Sequence, residues 1–203
     1  MKELTIEYFR LMLRSALERI REREDEFSKL DALTGDGDHG TAIVTALTAA
    51  LKVAEKGTDF KGMLGDMGFA VMMETSGSTS TLLGAFFLGM SDAVGGDVLD
   101  ATGVKAMFAG GLANVRKQTK ADIGDKTMMD ALIPAVNALE SCPSDVIGDL
   151  LSAAALEAQK GAEATIDMVA KFGRARNYGE RSKGFMDCGA ASWSTMFAAF
   201  GDL

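Results

Sequence analysis

Three carboxylates and three glycines share ten positions near the start of the chain, in the run Asp31-Ala32-Leu33-Thr34-Gly35-Asp36-Gly37-Asp38-His39-Gly40. Ionised aspartates this close repel one another unless a positive charge lies between them. Carboxylate oxygens suit the hard cations Mg²⁺, Ca²⁺ and Mn²⁺, and three such ligands leave coordination positions open for water or phosphate oxygens. We expect the glycines to turn the backbone through positive φ and to leave room for a phosphate group. The segment therefore predicts a divalent metal site that also accepts phosphate.

Two other interpretations of this segment compete with the metal-phosphate site. A calcium loop of the EF-hand type also begins Asp-x-Asp, but it requires ligands at positions five and twelve. Counting from Asp36, these positions are Gly40 and Leu47, which supply no side-chain oxygen, so the EF-hand interpretation fails. An acidic surface turn is the simpler alternative, and the segment taken alone leaves it open.

Three further segments carry groups that suit a phosphate ligand. The hydroxyl-rich turn 75–81 precedes an apolar helix, where free amides bind anions, although the segment taken alone favours an ordinary helix cap. The turn 124–130 has the same two interpretations. Segment 173–192 concentrates four cations in an otherwise acidic chain and so requires a nearby anion: Arg174, Arg176, Arg181 and Lys183.

Apolar residues recur at helical spacing along almost the whole chain, and prolines number only two. This pattern predicts an all-α protein of eight helices, in a single domain covering residues 1–203. The predicted helices are 3–27, 38–56, 60–75, 78–95, 98–118, 127–140, 144–172 and 189–202. Short connections favour an up-and-down arrangement, and the longer polar loops 28–37, 119–126 and 173–188 are the expected functional segments.

Composition excludes several classes of function. A formal charge of −8 leaves no basic face for nucleic acid. Cys142 and Cys188 lie far apart and the chain has one histidine, so neither a zinc site nor a disulfide framework is expected, and a reducing cytoplasm fits best. The N-terminus lacks the apolar core of a signal peptide, and no run of 18 apolar residues predicts a membrane span.

Taken together, the motifs resemble the nucleotide-binding L subunits of dihydroxyacetone kinases, over most of the chain. The matching residues are Leu30-Asp31, Gly35-Asp36-Gly37-Asp38-His39-Gly40, Gly124-Asp125-Lys126-Thr127-Met128, Gly173-Arg174-Ala175, Gly179-Glu180-Arg181-Ser182, Asp187, Gly189-Ala190 and Ser192. The resemblance implies a barrel of eight antiparallel amphipathic helices, with ADP or ATP held at one end by two Mg²⁺ ions.

Site residues follow from the resemblance position by position. It implies that Asp31, Asp36 and Asp38 are the metal ligands. It implies a nucleotide site formed by His39, Gly40, Thr41, Ser78, Thr79, Thr119, Met128, Arg174, Asp187, Cys188 and Gly189. The chain departs from the family pattern at Ala42, where Asn is usual, at Ser80-Thr81 for Gly-Pro, and at Phe185 and Cys188, which replace His and Pro. Every carboxylate is retained, so metal binding is expected to survive, whereas nucleotide fit and partner docking are less constrained.

The implied function is phosphoryl transfer to a ketose that a separate K subunit holds covalently on its own histidine. The donor is either free ATP or a bound ADP that a phosphohistidine phosphocarrier subunit recharges. A regulatory module that uses ADP without catalysis is the alternative from a different class, and a degenerate paralogue is a third. The ketose is not specified, and a homodimer is compatible with the sequence.

Overall fold

The computed structural model describes residues 1–74 and 77–203, and within them the chain forms nine α-helices. They are α1 Ile6–Glu22, α2 Glu24–Ala32, α3 His39–Ala54, α4 Phe60–Glu74, α5 Ser78–Ala93, α6 Ala101–Gln118, α7 Met129–Ser141, α8 Ile147–Ala164 and α9 Cys188–Gly201. Short 3₁₀ segments cover Thr165–Asp167 and Arg174–Ser182. Two strands of two residues each, β1 Leu4–Thr5 and β2 Val98–Leu99, pair antiparallel. The predicted all-α class is confirmed.

Apolar stripes that the sequence places on single helix faces form the core. The predicted stripes are all buried: Phe9, Met12, Leu13, Ala16, Leu17 and Ile20 on α1; Val104, Met107, Phe108, Gly111, Leu112 and Val115 on α6; Trp193, Met196, Phe197 and Phe200 on α9. Aromatic rings meet edge to face at its centre, where the centroid of Phe86 lies 5.1 Å from that of Trp193 and 6.0 Å from that of Phe108. Helical periodicity therefore predicted these buried faces correctly.

Each long helix packs against its successor in the chain from α3 to α9, and α1 packs against both α3 and α9. The short helix α2 lies outside this sequence of neighbours and packs on α3 and α9. No helix in the described part of the chain is long and apolar enough to span a membrane.

The first predicted helix, 3–27, is wrong as a continuous element, because it breaks at Arg23 (φ −110°, ψ 11°). There the guanidinium donates to Thr195 Oγ1 at 2.5 Å and lies over the ring of Phe27, which is fully buried. The helix that follows, α2, continues to Ala32 and so covers the first half of the predicted loop 28–37. Asp31 is consequently held on the last turn of a helix.

Two further boundaries differ from prediction. Helix 144–172 ends at Ala164 and passes into the first 3₁₀ turn. The predicted loop 173–188 contains the 3₁₀ segment Arg174–Ser182, kinked at Gly179 (φ 53°, ψ −130°). The predicted helix 60–75 ends at Thr75, and the predicted phosphate turn 75–81 begins with Thr75 and Ser76. These two residues lie outside the described part of the chain.

Candidate functional site

The three predicted metal ligands come together between α2 and α3. Asp31 lies on the last turn of α2, Asp36 in the connection, and Asp38 immediately before α3. One carboxylate oxygen from each lies within 4.8 Å of the others. This spacing allows one cation to contact all three side chains.

Asp31 also organises the backbone of the connection. Its Oδ2 accepts hydrogen bonds from the amides of Gly37 at 2.8 Å and Asp38 at 3.1 Å. A Cβ on Gly35 would lie 2.4 Å from Asp31 Oδ1, so a side chain at Gly35 would displace this carboxylate. The Asp31 carboxylate and the glycines together therefore fix the backbone of the connection between α2 and α3.

Of the three glycines expected to adopt positive φ, only Gly37 does so, at 79°. Gly40 serves a different purpose, because a Cβ there would lie 2.0 Å from the carbonyl oxygen of Glu24 and 2.5 Å from Ser28 Oγ. The prediction of positive φ at Gly35 and Gly40 is wrong. The close approach of α2 to α3 explains the glycine at position 40.

Charges within the cluster are unevenly balanced. The pKa of Asp38 is raised because burial disfavours its charged form and because Asp36 and Asp31 repel it. The pKa of Asp36 is lowered because the guanidinium of Arg174 pairs with it. A bound cation would relieve the repulsion of Asp38 by Asp36 and Asp31. Oxygen donors at this spacing fit Mg²⁺, a hard ion that retains open positions for water and phosphate.

His39, the first residue of α3, connects three helices. Its Nε2 lies 2.8 Å from Ser192 Oγ on α9, and its Nδ1 lies 3.1 Å from Thr79 Oγ1 on α5. The imidazole is buried, and burial lowers its pKa. Ser78 begins α5 directly after Gly77, whose φ is 107°. The N-termini of α3, α5 and α9 thus meet beside the carboxylates, and a helix N-terminus favours anions.

Helix α9 begins against the same cluster. Asp187 is its N-cap and accepts from the amide of Ala190 at 2.8 Å, while removal from water raises the pKa of Asp187 to about 6. The thiol of Cys188 lies 3.7 Å from Asp31 Oδ1; burial, with the nearby charges of Asp187 and Asp31, raises its pKa well above the usual value, so it remains protonated. A Cβ on Gly189 would lie 3.2 Å from Met128 Cβ, so these two predicted residues are neighbours.

Two predicted nucleotide residues make other contacts. Thr41 is exposed and donates to Glu24 Oε1 at 3.0 Å. Thr119 directly follows α6, and its hydroxyl accepts from the amide of Ala121 at 3.1 Å. These contacts do not join either residue to the carboxylates or to His39.

Sequence reasoning missed two residues of the site. Ser192 was recognised only as part of a motif, and its contact with His39 spans 153 positions. Lys126 is 2% exposed, has a φ of 58°, and donates through Nζ to the carbonyls of Thr165 at 2.5 Å and Phe185 at 2.6 Å. A charged residue in a polar turn predicts an exposed side chain. Lys126 instead attaches the turn 124–130 to Thr165, which directly follows α8, and to Phe185 on the segment that leads into α9.

Replacing Lys126 by methionine removes both hydrogen bonds and leaves the buried carbonyl of Thr165 and the partly buried carbonyl of Phe185 without this donor. We expect the free energy of unfolding to fall by about 1–3 kcal/mol. Lys120→Met is the matched control, because Lys120 is exposed and its replacement should cost less than about 0.5 kcal/mol. Urea unfolding followed by circular dichroism measures both, and equal stabilities of the two variants would contradict the bracing role of Lys126.

The known proteins that this chain is similar to are ketose kinases or subunits of them. The sequence pattern of the DAK2 domain matches residues 33–202. The chain is 34% identical over 184 residues to the "PEP-dependent dihydroxyacetone kinase 1, ADP-binding subunit DhaL" of Listeria innocua, covering 90% of this chain and 88% of that protein. It is 31% identical to the L-erythrulose 1-kinase of Mycolicibacterium smegmatis, covering 89% of this chain and 33% of that one.

Among solved structures, the chain is similar to the crystal structure of the dihydroxyacetone kinase from C. freundii in complex with AMP-PNP and Mg²⁺. The TM-score is 0.71 at 26% identity, and the match covers 94% of this chain and 33% of that one. The chain thus spans about a third of the length of this kinase.

Proposed function

Because the chain belongs to the DAK2 domain family, we propose that it is the nucleotide-binding subunit of a dihydroxyacetone-type ketose kinase. The observation that carries the proposal is the meeting of three carboxylates with the N-termini of α3, α5 and α9 at one end of the molecule. The resemblance to L subunits seen in the sequence motifs is confirmed by the relatives, and the chain is a phosphotransferase subunit.

Asp31, Asp36 and Asp38 would hold Mg²⁺. When bound, the ion neutralises phosphate charge and orients the phosphoryl group for transfer. Two ions are part of the proposal because their four positive charges offset most of the negative charge of three carboxylates and of ADP, which carries roughly three. The amides of Gly37 and Asp38 donate to Asp31 Oδ2 and would orient this carboxylate toward the ion.

The nucleotide would lie across the helix N-termini. Ser78 and Thr79 at the start of α5, and His39, Gly40 and Thr41 at the start of α3, would line its phosphate side. Arg174 already pairs with Asp36 and is placed to neutralise phosphate. The adenosine side is assigned to Thr119, Met128, Asp187, Cys188 and Gly189, supported by the contact between positions 128 and 189.

We further propose that the helices form one nucleotide-binding domain over residues 1–203, a barrel of eight long antiparallel helices with α2 as an addition. Its support is the succession of packed neighbours from α3 to α9, with α1 between α9 and α3. Both cysteines are free thiols, and a reducing, cytoplasmic location stays a prediction.

The acceptor ketose would be carried by a separate K-type subunit. This is supported by relatives that are described as the ADP-binding subunit of a dihydroxyacetone kinase. Segment 173–188 is the proposed docking surface because its Arg174 pairs with Asp36 and its basic residues Arg176 and Arg181 are exposed. The phosphoryl donor is either ATP or a phosphohistidine phosphocarrier, and the DhaL relatives described as PEP-dependent favour the second. The ketose stays open, since both dihydroxyacetone and erythrulose kinases are relatives.

The isolated chain is expected to bind ADP only with Mg²⁺ and to phosphorylate no ketose. Calorimetry with ADP, with and without Mg²⁺, tests the first expectation. A phosphorylation assay with dihydroxyacetone, with and without a K-type subunit and either donor, tests the second. ADP binding without transfer in the complete mixture would assign the chain to a regulatory module, and ketose phosphorylation by the chain alone would contradict the subunit role.

A further inference from the structure

A network of buried polar side chains lies beside the start of α9. Lys126, Asp130 and Thr165 are 2%, 1% and 0% exposed, although such side chains usually lie at the surface. The turn 124–130, the 3₁₀ turn Thr165–Asp167 and the segment 184–187 all take part in it. A buried polar network whose members are hydrogen-bonded holds its surroundings in one arrangement. This network therefore fixes how the three segments lie relative to one another.

Asp130 holds the turn itself. Its Oδ1 accepts from the amide of Gly124 at 2.6 Å, and its Oδ2 accepts from the amide of Thr127 at 2.8 Å. A Cβ on Gly161 of α8 would lie 1.8 Å from the carbonyl oxygen of Asp130, so α8 packs directly on the start of α7. The turn and the first residues of α7 therefore form one firmly packed unit.

Lys126 joins this unit to the segment before α9. Its Nζ donates to the carbonyls of Thr165 at 2.5 Å and Phe185 at 2.6 Å, and it lies 4.9 Å from the centre of the Phe185 ring. Among the residues that the structure describes, Lys126 alone has a positive φ without being a glycine. A backbone conformation of this kind persists where surrounding contacts enforce it, and such positions cluster at binding sites.

The charge of Lys126 is shared by the same three segments. Burial lowers the pKa of its amine, and the negative charges of Asp187, Asp130 and Asp167 oppose that shift. Asp130 lies on α7, Asp167 on the 3₁₀ turn, and Asp187 is the N-cap of α9. Removing the ammonium group therefore takes away a contact and a charge that hold all three segments together.

Thr165 makes a second connection to the start of α9. Its Oγ1 accepts from the amide of Asp187 at 2.9 Å. The neighbouring carbonyl of Ile166 accepts from the amide of Gly184 at 2.8 Å. The segment 184–187 is thus held both by Lys126 and by the 3₁₀ turn that follows α8.

Met128 and Gly189, two positions assigned above to adenosine, lie next to this network. Met128 follows Lys126 by two residues, and Gly189 follows Asp187 by two residues. A Cβ on Gly189 would lie 3.2 Å from Met128 Cβ and 3.5 Å from Met128 N, so the two backbones approach closely. Their spacing therefore depends on how the turn 124–130 is held against the start of α9.

We propose that Lys126, supported by Thr165, is a positioning residue that sets the spacing of Met128 and Gly189 and thereby the preference of the site for a purine base. The inference rests on the proposed function, which assigns these two positions to adenosine. A base that binds through its flat face gains in proportion to the area it covers, so a purine gains more than a pyrimidine from a wall of fixed spacing. The diphosphate is assigned to other residues, in the carboxylate cluster and at the starts of α3 and α5.

Calorimetry of the full chain with ADP and with UDP, each in the presence of Mg²⁺, tests the inference. The wild type should bind ADP at least about 10-fold more tightly than UDP, because the larger base makes more apolar contact. Lys126→Met should bind ADP about 10-fold more weakly, because its wall is displaced, and should bind UDP within about 2-fold of the wild type. Loss of selectivity with UDP affinity retained is a pattern that a merely structural role would not give.

Lys105→Met is the matched control. Lys105 also donates through Nζ to a backbone carbonyl, that of Cys142 at 2.6 Å. It lies about 20 Å along α6 from Thr119, at a rise of about 1.5 Å per residue, so its replacement should leave both affinities unchanged. Equal losses of ADP and UDP affinity in Lys126→Met, or no loss of ADP affinity in the folded variant, overturn the inference. A wild type that binds ADP and UDP equally also overturns it.

The hydroxyl of Thr165 decides the question if Lys126→Met does not fold. Thr165→Val removes the acceptor of the Asp187 amide within nearly the same volume and should lower the ratio of ADP to UDP affinity. Thr165→Ser keeps the acceptor and should keep the wild-type ratio, so equal ratios in these two variants overturn the inference. A wild type that binds neither nucleotide contradicts the proposed function and this inference with it. Wild-type ADP binding with unchanged selectivity in the variants contradicts the inference alone.

Discussion

Replacing Asp36 or Asp38 by asparagine is expected to weaken Mg²⁺-dependent ADP binding by at least about 100-fold, the upper end of what the loss of a supporting group around a metal costs. Each change removes one of three carboxylates whose oxygens lie within 4.8 Å of one another. Calorimetry with ADP and Mg²⁺ measures the loss, and circular dichroism verifies that the helices remain.

The same variants make an opposite prediction for the protein without ligand. Asp38 is repelled by Asp36 and Asp31, so Asp38→Asn should melt at or above the wild-type temperature in the presence of a chelator. Asp36→Asn gains less, because it also loses the ion pair with Arg174.

A matched control lies on α5. Asp92 is exposed and lies about 20 Å along the helix axis from Ser78, at a rise of about 1.5 Å per residue. Asp92→Asn removes the same charge far from the cluster and should leave ADP affinity unchanged. Unaltered affinity in both Asp36→Asn and Asp38→Asn would rule out the metal assignment.

Gly40→Ala is expected to give the largest loss of stability among the conservative changes at the site, about 2–3 kcal/mol in the free energy of unfolding. The new Cβ would lie 2.0 Å from the carbonyl oxygen of Glu24, and a backbone atom cannot move aside as a flexible side chain can. Separation of α2 from α3 would also displace Asp31 from Asp38, so ADP affinity should fall with stability. Urea unfolding and calorimetry measure the two effects.

Gly148→Ala is the control for the added methyl group. Gly148 lies in α8 with nothing within 4 Å of its would-be Cβ, so alanine should stabilise the chain by up to about 1 kcal/mol through its helix propensity. Should Gly40→Ala prove as stable as Gly148→Ala, the close α2–α3 contact is not required for the fold.

Local pattern was sufficient for the helical class and for the faces that form the core. The stripes on α1, α6 and α9 repeat at the helical period, and burying such a stripe is the main gain available to an amphipathic helix. The proximity of Asp31, Asp36 and Asp38 was predictable because they are near in sequence, and their role as metal ligands stays a prediction. The nucleotide residues came from family resemblance, and they stay predictions.

Tertiary packing decided what no local pattern contains. At the break at Arg23 the guanidinium donates to Thr195 Oγ1, which lies 172 positions away, and Asp31 lies on the separate helix α2 that follows. Gly40 marks a helix contact, whereas the motif suggested a backbone turn. The local sequence around Lys126 predicts an exposed charge, whereas its side chain is buried and donates to the carbonyls of Thr165 and Phe185. Ser192 contacts the ring of His39, which lies 153 positions away in the sequence. Periodicity and spacing describe the few residues around a position, whereas burial, close approach and hydrogen-bond partners depend on which helices the fold brings together.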